Sequence, residues 1–357
     1  MTVISNISQK YYPQLDGLRA FAIFLVLLQH WLPETHVLLK WIPDPGAMGV
    51  TLFFVLSGYL IGSILLKEKY LLEENKTNQT KSSILYKFYA RRTLRIFPIY
   101  YLFIFLLLII NYPPFIKELL PWLLTYTPNI YIALYGFVKL FPLTHFWTLG
   151  VEEQFYLIMP LIFLSVPTKY LPHTILIFIS TGIIFKAIFL ALVPGHQFST
   201  ITIAQFDSFG IGILLGYCRI NNISIPYENT LLILSLATVI LLNISDYPFK
   251  GKKFLYNVIP SVQICSVIII NRACNGFTKF GKLLLENNII TYIGRISYGM
   301  YVYHNIFPQL NSYFYDTSKL PAELLFILYL VELLIIASLS YYIIEKPLLS
   351  LKKYISY

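Results

Sequence analysis

The sequence predicts an all-α fold, a polytopic transmembrane helical bundle of about ten spans with both termini cytoplasmic. Three observations carry this reading. Hydrophobic residues make up 57% of the 357-residue chain and charged residues only 12%, against roughly a quarter charged in an ordinary soluble domain; a soluble core cannot hide that much apolar surface. Apolar runs of about 17–24 residues recur from one end to the other, each long enough at 1.5 Å per residue to cross a hydrocarbon core of roughly 30 Å. The basic residues between those runs fall mostly on one side.

The runs lie at 17–32, 47–66, 96–112, 146–165, 173–193, 204–220, 229–245, 254–271, 291–311 and 321–344. Ahead of the first, MTVISNISQKYYPQ is polar and lacks the apolar core and small-residue cleavage site of a signal peptide, so the N-terminus is expected to be retained and cytoplasmic. The polar stretch 67–95 is expected to be a cytoplasmic loop within a single domain covering 1–357. The stretch 119–135 is apolar but interrupted by Pro121 and Pro128, which suits a re-entrant or interfacial segment and leaves an eleventh crossing open.

Charge counting favours ten spans. With both ends inside, the outer segments hold only Lys40, Lys117, Lys139, Lys250, Lys252, Lys253 and Lys319, while the inner ones hold most of the rest, including Arg91, Arg92 and Arg95. That asymmetry is the positive-inside pattern, and an eleventh span would put the later basic loops on the wrong side. The formal charge of +10 is therefore read as cytoplasmic loops beside a lipid bilayer, with no nucleic-acid partner. Cys218, Cys265 and Cys274 show no CxxC spacing, so neither a disulfide framework nor a metal site is indicated.

The first span, LDGLRAFAIFLVLLQHW, carries Asp16, Arg19 and His30 as its ionisable groups. Eleven steps of about 100° bring Arg19 and His30 within roughly 20° of one helix face and some 16 Å apart along it. Asp16, three residues before Arg19, is within pairing distance, which lowers the cost of placing either near lipid. The same residues also fit a juxtamembrane anchor with an interfacial histidine beside Trp31, and the spacing alone does not decide.

Six segments do. YYPQLDGLRAFAIFLVLLQHW (11–31), VTLFFVLSGYLIGSIL (50–65), FYARRTLRIFPIYY (88–101), HFWTLGVEEQFYLIMPL (145–161), ISYGMYVYHN (296–305) and YYIIEKP (341–347) resemble, in order and over nearly the whole chain, the acyltransferase-3 family of membrane acyltransferases. The arginine-ten-histidine spacing of Arg19 and His30 and the Arg92-x-x-Arg95 loop are the most specific parts. The resemblance implies transfer of an acyl group, usually acetyl from cytoplasmic acetyl-CoA, to a sugar hydroxyl of a surface glycan across the membrane. Many members carry a fused SGNH domain; this chain stops at Tyr357, and a standalone form is expected. One departure is the sequence IAQFDSFGIG, with Gln205 two residues before Asp207 where many relatives have an arginine, so that any contribution of that residue is weaker or made elsewhere.

Acyl transfer to a hydroxyl needs a base for the proton and donors for the developing oxyanion. His30 is the expected base, acting directly or through an acyl-imidazole, with Glu152, at the outer end of its span, orienting the imidazole or binding acceptor hydroxyls. Asp16 completes the expected catalytic set as the partner of Arg19. Guanidinium groups hold phosphate in a two-pronged geometry, so Arg19, Arg92 and Arg95 are the expected acyl-CoA contacts. Tyr156, Ser297, Tyr298, Tyr301 and His304 are expected to line the cavity and hydrogen-bond a glycan or glycolipid acceptor. His36, His173 and His196 receive no role.

No permanently bound cofactor or metal is expected; acetyl-CoA is a co-substrate. A transporter or flippase of a glycan or lipid intermediate is the competing class, because charged residues within spans also mark permeation pathways; the chain lacks the repeat architecture of transporters. Ile-, Lys- and Asn-rich composition suggests an AT-rich bacterial genome, and so the bacterial inner membrane and an envelope polysaccharide such as lipopolysaccharide O-antigen.

Overall fold

The helices begin and end where local chemistry directs. The structure is a computed structural model describing residues 11–42, 44–193, 197–246, 260–277 and 279–355, and among these all regular structure is helical. The first helix, α1 (Pro13–Trp31), starts on a proline, which fits the first turn because its missing N–H has no partner there anyway, and stops at Leu32, held extended ahead of Pro33. After the short α2 (Val37–Trp41), Asp44 caps α3 (Pro45–Glu73) by accepting from the Ala47 N–H at 3.0 Å. Thr80 caps α4 (Lys81–Ile109) through the Ser83 N–H at 3.2 Å. There follow α5 (Ile116–Leu124), α6 (Pro128–Tyr135), α7 (Phe146–Ser165), α8 (Leu171–Leu192), α9 (Phe206–Ile220), α10 (Glu228–Asp246), α11 (Ser261–Asn275), α12 (Lys279–Leu285), α13 (Asn288–Tyr303), α14 (Phe307–Ser312), α15 (Ala322–Ser340) and α16 (Lys346–Ser350).

Each expected apolar run falls on helix where the structure describes it, although α3 and α4 extend well beyond theirs and 291–311 spans a break; residues 254–259 of the eighth, the first ten residues, Lys250, Lys252, Lys253 and His196 lie outside the described residues. One expectation changes and one alternative falls away. The stretch 67–95 is not a loop: α3 runs on to Glu73 and α4 begins at Lys81, so only 74–80 connects them. Charged residues are good helix formers, and the Lys69–Glu73 pair, four apart, closes at 2.9 Å. The stretch 119–135 falls into α5 and α6, of 9 and 8 residues, each far short of the ~20 residues a crossing helix needs.

The run 291–311 is one apolar segment but not one helix. It breaks into a 3-10 turn over His304–Ile306, and Pro308 stands four residues after His304. Proline has no N–H to give the carbonyl four residues back, here that of His304, and its ring clashes there. The freed His304 carbonyl accepts instead from the Trp31 indole Nε1 at 3.1 Å, which fastens the break to the end of α1.

Among the described residues, four helices are long and apolar enough to cross a membrane by length and composition: Pro45–Glu73, Lys81–Ile109, Thr168–Phe189 and Ala322–Tyr354. On α15, Ile327, Val331, Ile335 and Leu339 recur every fourth residue and are all exposed, a face that water would penalise and lipid tails accept. Inside, α1, α3, α9 and α13 form the centre. There α3 and α9 meet backbone to backbone: a Cβ on Gly58 would stand 2.2 Å from the Phe209 carbonyl oxygen, and one on Gly212 2.2 Å from that of Val55. Small residues at such contacts are how membrane helices pack without a hydrophobic drive between them.

A buried ion pair ties α8 to α9. Lys186 and Asp207 are 5% and 0% exposed and in direct contact, and Asp207 also accepts from the Ser208 N–H at 2.8 Å and from Gln263 on α11 at 3.2 Å. Asp207 is thus paired with a cation from the neighbouring helix, while Gln205 donates to the Ser199 carbonyl at 2.7 Å. Lys186→Met leaves the carboxylate buried and unpaired and is expected to cost about 3–5 kcal/mol, whereas Lys186→Met with Asp207→Asn recovers most of it. Thermal unfolding of the purified variants in detergent checks this; an unchanged melting temperature for Lys186→Met refutes it.

Candidate active site

Two concavities lie back to back in the bundle. The inner one, of about 80 Å³, is lined by Arg19 of α1, Ser57 of α3, Arg92 and Arg95 of α4, Thr148, Glu152 and Tyr156 of α7, and Ser297, Tyr298 and Tyr301 of α13. Eight of the expected site residues therefore converge on one chamber, although they come from four helices. Arg19 is held from behind by Asp16, which it contacts directly and which also accepts from the Tyr11 hydroxyl at 2.6 Å. Arg92 lies over the Tyr156 ring, its guanidinium carbon 5.2 Å from the centroid, at the range of a cation–π contact. Arg95 donates no hydrogen bond among the described residues, so a planar fork of donors lines the chamber open to an anion.

Glu152 does not stand at the outer end of its helix beside His30. It lies two turns into α7, accepts from the Ser57 hydroxyl at 3.0 Å, and shares Ser57 with the Tyr156 hydroxyl, 3.1 Å away. Its carboxyl faces Arg92 and Arg95. Asp16 likewise serves Arg19 and does not reach the imidazole. The reason is the helical rise: Glu152 is seven residues beyond His145, about 10 Å along the axis, and it is His145 at the N-terminal end of α7 that meets His30's surroundings.

The outer concavity, about 630 Å³, holds His30, whose ring is exposed into it, with Gln29, Thr144, Asn305 and Gln309 and the apolar Phe115, Phe137 and Phe141. Between the chambers the wall is one ring thick. The His304 ring packs edge-on against His30 with centroids 4.9 Å apart, and it in turn lies 5.4 Å from Tyr301, which lines the inner chamber. His145 fills the third side, 4.7 Å from His304. The Tyr301 hydroxyl accepts from Thr148 at 2.6 Å and donates to the His145 carbonyl at 3.0 Å, bracing α13 against α7.

Three of the six histidines thus meet from α1, α7 and the break after α13. His145 and His304 are 3% and 0% exposed and tied to backbone: His304 Nδ1 to the Tyr301 carbonyl at 2.7 Å, His145 Nε2 to the Val302 carbonyl at 3.1 Å. Among the described residues no group of three or more His, Cys, Asp or Glu side chains is arranged to hold a metal ion. His36 caps α2 and touches Glu323 at 3.1 Å, and His173 sits in the first turn of α8, both away from the site. Sequence reasoning missed Ser57, Thr148, His145 and Asn305. His145 and Asn305 each end a motif segment already singled out, and Pro308 marks the turn that brings Asn305 to His30.

A match over residues 12–345 to the family model described as an acyltransferase domain, acyltransferase-3, decides the assignment. The chain belongs to the acyltransferase-3 family. Among curated proteins, this acyltransferase-3 chain is 28% identical over 371 residues to the O-acetyltransferase OatA of Staphylococcus aureus (strain NCTC 8325 / PS 47), a match covering 96% of this chain and 58% of that protein. It is 29% identical over 372 residues to the peptidoglycan O-acetyltransferase OatA of Listeria monocytogenes serovar 1/2a, covering 96% and 56%. The chain therefore spans somewhat more than half the length of these relatives. No solved structure matches it.

Proposed function

We propose that this membrane protein is an O-acyltransferase that moves an acyl group, acetyl above all, from cytoplasmic acyl-CoA to a sugar hydroxyl of an envelope polysaccharide. In this reading it crosses the bacterial inner membrane about ten times with both termini cytoplasmic, so that the arginine chamber opens toward the donor and the His30 chamber toward the acceptor. The observation that carries it is the shared wall: guanidinium forks of Arg19, Arg92 and Arg95 on one side and an exposed imidazole on the other, separated by His304 and Tyr301. A transporter needs a path for a whole glycan; a wall this thin suits the passage of a small group only.

The chemistry follows from these groups. The arginines bind the phosphates of CoA, with Asp16 fixing the direction of Arg19 and Ser57 and Tyr156 fixing Glu152. His30 takes the proton of the acceptor hydroxyl as its oxygen bonds to the acyl carbon; the carbon–sulfur bond breaks and the CoA thiolate leaves, protonated in turn. The relatives' names support O-acetyl transfer, and one supports peptidoglycan as acceptor; peptidoglycan and lipopolysaccharide O-antigen are the acceptors to compare.

The purified full-length chain in proteoliposomes, given acetyl-CoA with the acetyl group isotopically labelled, is expected to release CoA only when a glycan acceptor is present. Label should appear on the glycan as an alkali-labile ester. Glycan crossing the membrane without CoA release overturns the proposal in favour of transport.

A further inference from the structure

Resting on the reading of His30 as the base, we propose that Asn305 is its positioning residue: the Asn305 Oδ1 accepts the N–H of one imidazole nitrogen and so leaves the other bare toward the outer chamber. An imidazole can take a proton from a hydroxyl only at a nitrogen that carries none, and which nitrogen that is depends on what the other one binds. In hydrolytic triads a third side chain fixes this, and an asparagine is able to do so. Asn305 is placed for the same task here.

Four observations support it. Asn305 is 4% exposed, lines the outer chamber with His30, and directly follows His304, whose ring packs on the imidazole. Its Nδ2 donates to the Pro142 carbonyl in a direct contact; a carbonyl only accepts, so the amide nitrogen is pinned there and Oδ1 is the atom left for His30. The turn bearing Asn305 is fastened to α1 beside the imidazole, because Trp31, the residue after His30, holds the His304 carbonyl. The His304 ring, itself locked to Tyr301, packs edge-on against His30 and restricts its rotation.

No carboxylate hydrogen-bonds His30 among the described residues. The charged and titratable groups that face it are Asp44 at the cap of α3, whose Oδ1 is occupied by the Ala47 N–H, and the imidazoles of His304 and His145. An amide orients the ring without adding a charge.

Asn305→Ala is expected to lower kcat about tenfold, the worth of one hydrogen bond in rate. The KM for acyl-CoA should stay unchanged, since the donor groups lie beyond the wall. Asn305→Asp puts a carboxylate against the imidazole and favours its charged form; the acid limb of the transfer pH profile then moves up by about one unit. Independently of turnover, the pH dependence of diethylpyrocarbonate labelling at His30, read by mass spectrometry, moves up by the same amount. Wild-type kcat in Asn305→Ala, or an unmoved labelling midpoint in Asn305→Asp, overturns the proposal. A moved labelling midpoint with an unmoved transfer profile leaves the contact standing and overturns the base role of His30.

Discussion

His30→Ala is expected to abolish the proposed acyl transfer to the glycan while the protein still inserts and accumulates in the membrane. A positioned general base contributes about 10²–10⁴-fold, and loss of an acyl-imidazole intermediate, if the reaction uses one, removes turnover altogether. The stability cost is small because the ring is exposed into the outer chamber, and exposed positions change stability by about 0.5 kcal/mol or less. His304→Ala is the contrasting case, since that ring is fully buried and its loss opens a cavity in the wall. Acetyl incorporation into envelope glycan, measured beside the membrane level of each variant, checks the expectation. Wild-type acylation with His30→Ala would remove the base from the mechanism.

How much of this was legible in the sequence depended on the range of the interaction involved. Helix positions were readable because lipid exposure and apolar packing both select continuous apolar runs, so α1, α7 and α15 appear in the sequence almost residue for residue. The Asp16–Arg19 pair and the alignment of Arg19 with His30 were readable for the same reason, being properties of one helix. The extension of α3 and α4 into 67–95 was not: those residues are polar, and polarity marks a loop only when helix propensity is ignored. The depth of Glu152 was misjudged because WTLGVEEQFY was placed by the end of its apolar run, not by the rise from His145. Contacts between helices left the weakest trace. Asn305 lies beside His30 because Pro308 breaks the helix, and Lys186 pairs with Asp207, twenty-one residues later in the chain; each requires knowing which helices are neighbours.

Arg19→Lys is expected to raise the KM for the proposed acyl-CoA donor by about 10–100-fold with a smaller effect on kcat. Arginine presents five donors in a rigid plane, so Arg19 can pair with Asp16 through one edge and offer the other to a phosphate in the inner chamber. A lysine placed there has one ammonium, and Asp16, 6% exposed and buried against α13, claims it. The charge remains while the donors facing the chamber are lost, at about 1.5–3 kcal/mol for hydrogen bonds to a charged group, which converts to the stated range. Arg92→Lys tests the same distinction on α4, where an anchor for the bilayer surface tolerates lysine and a phosphate fork stacked on Tyr156 does not. Initial rates at varied acetyl-CoA separate KM from kcat. An unchanged KM in both variants shows that these guanidiniums hold the helices and not the donor, and the direction of transfer across the wall must then be assigned anew.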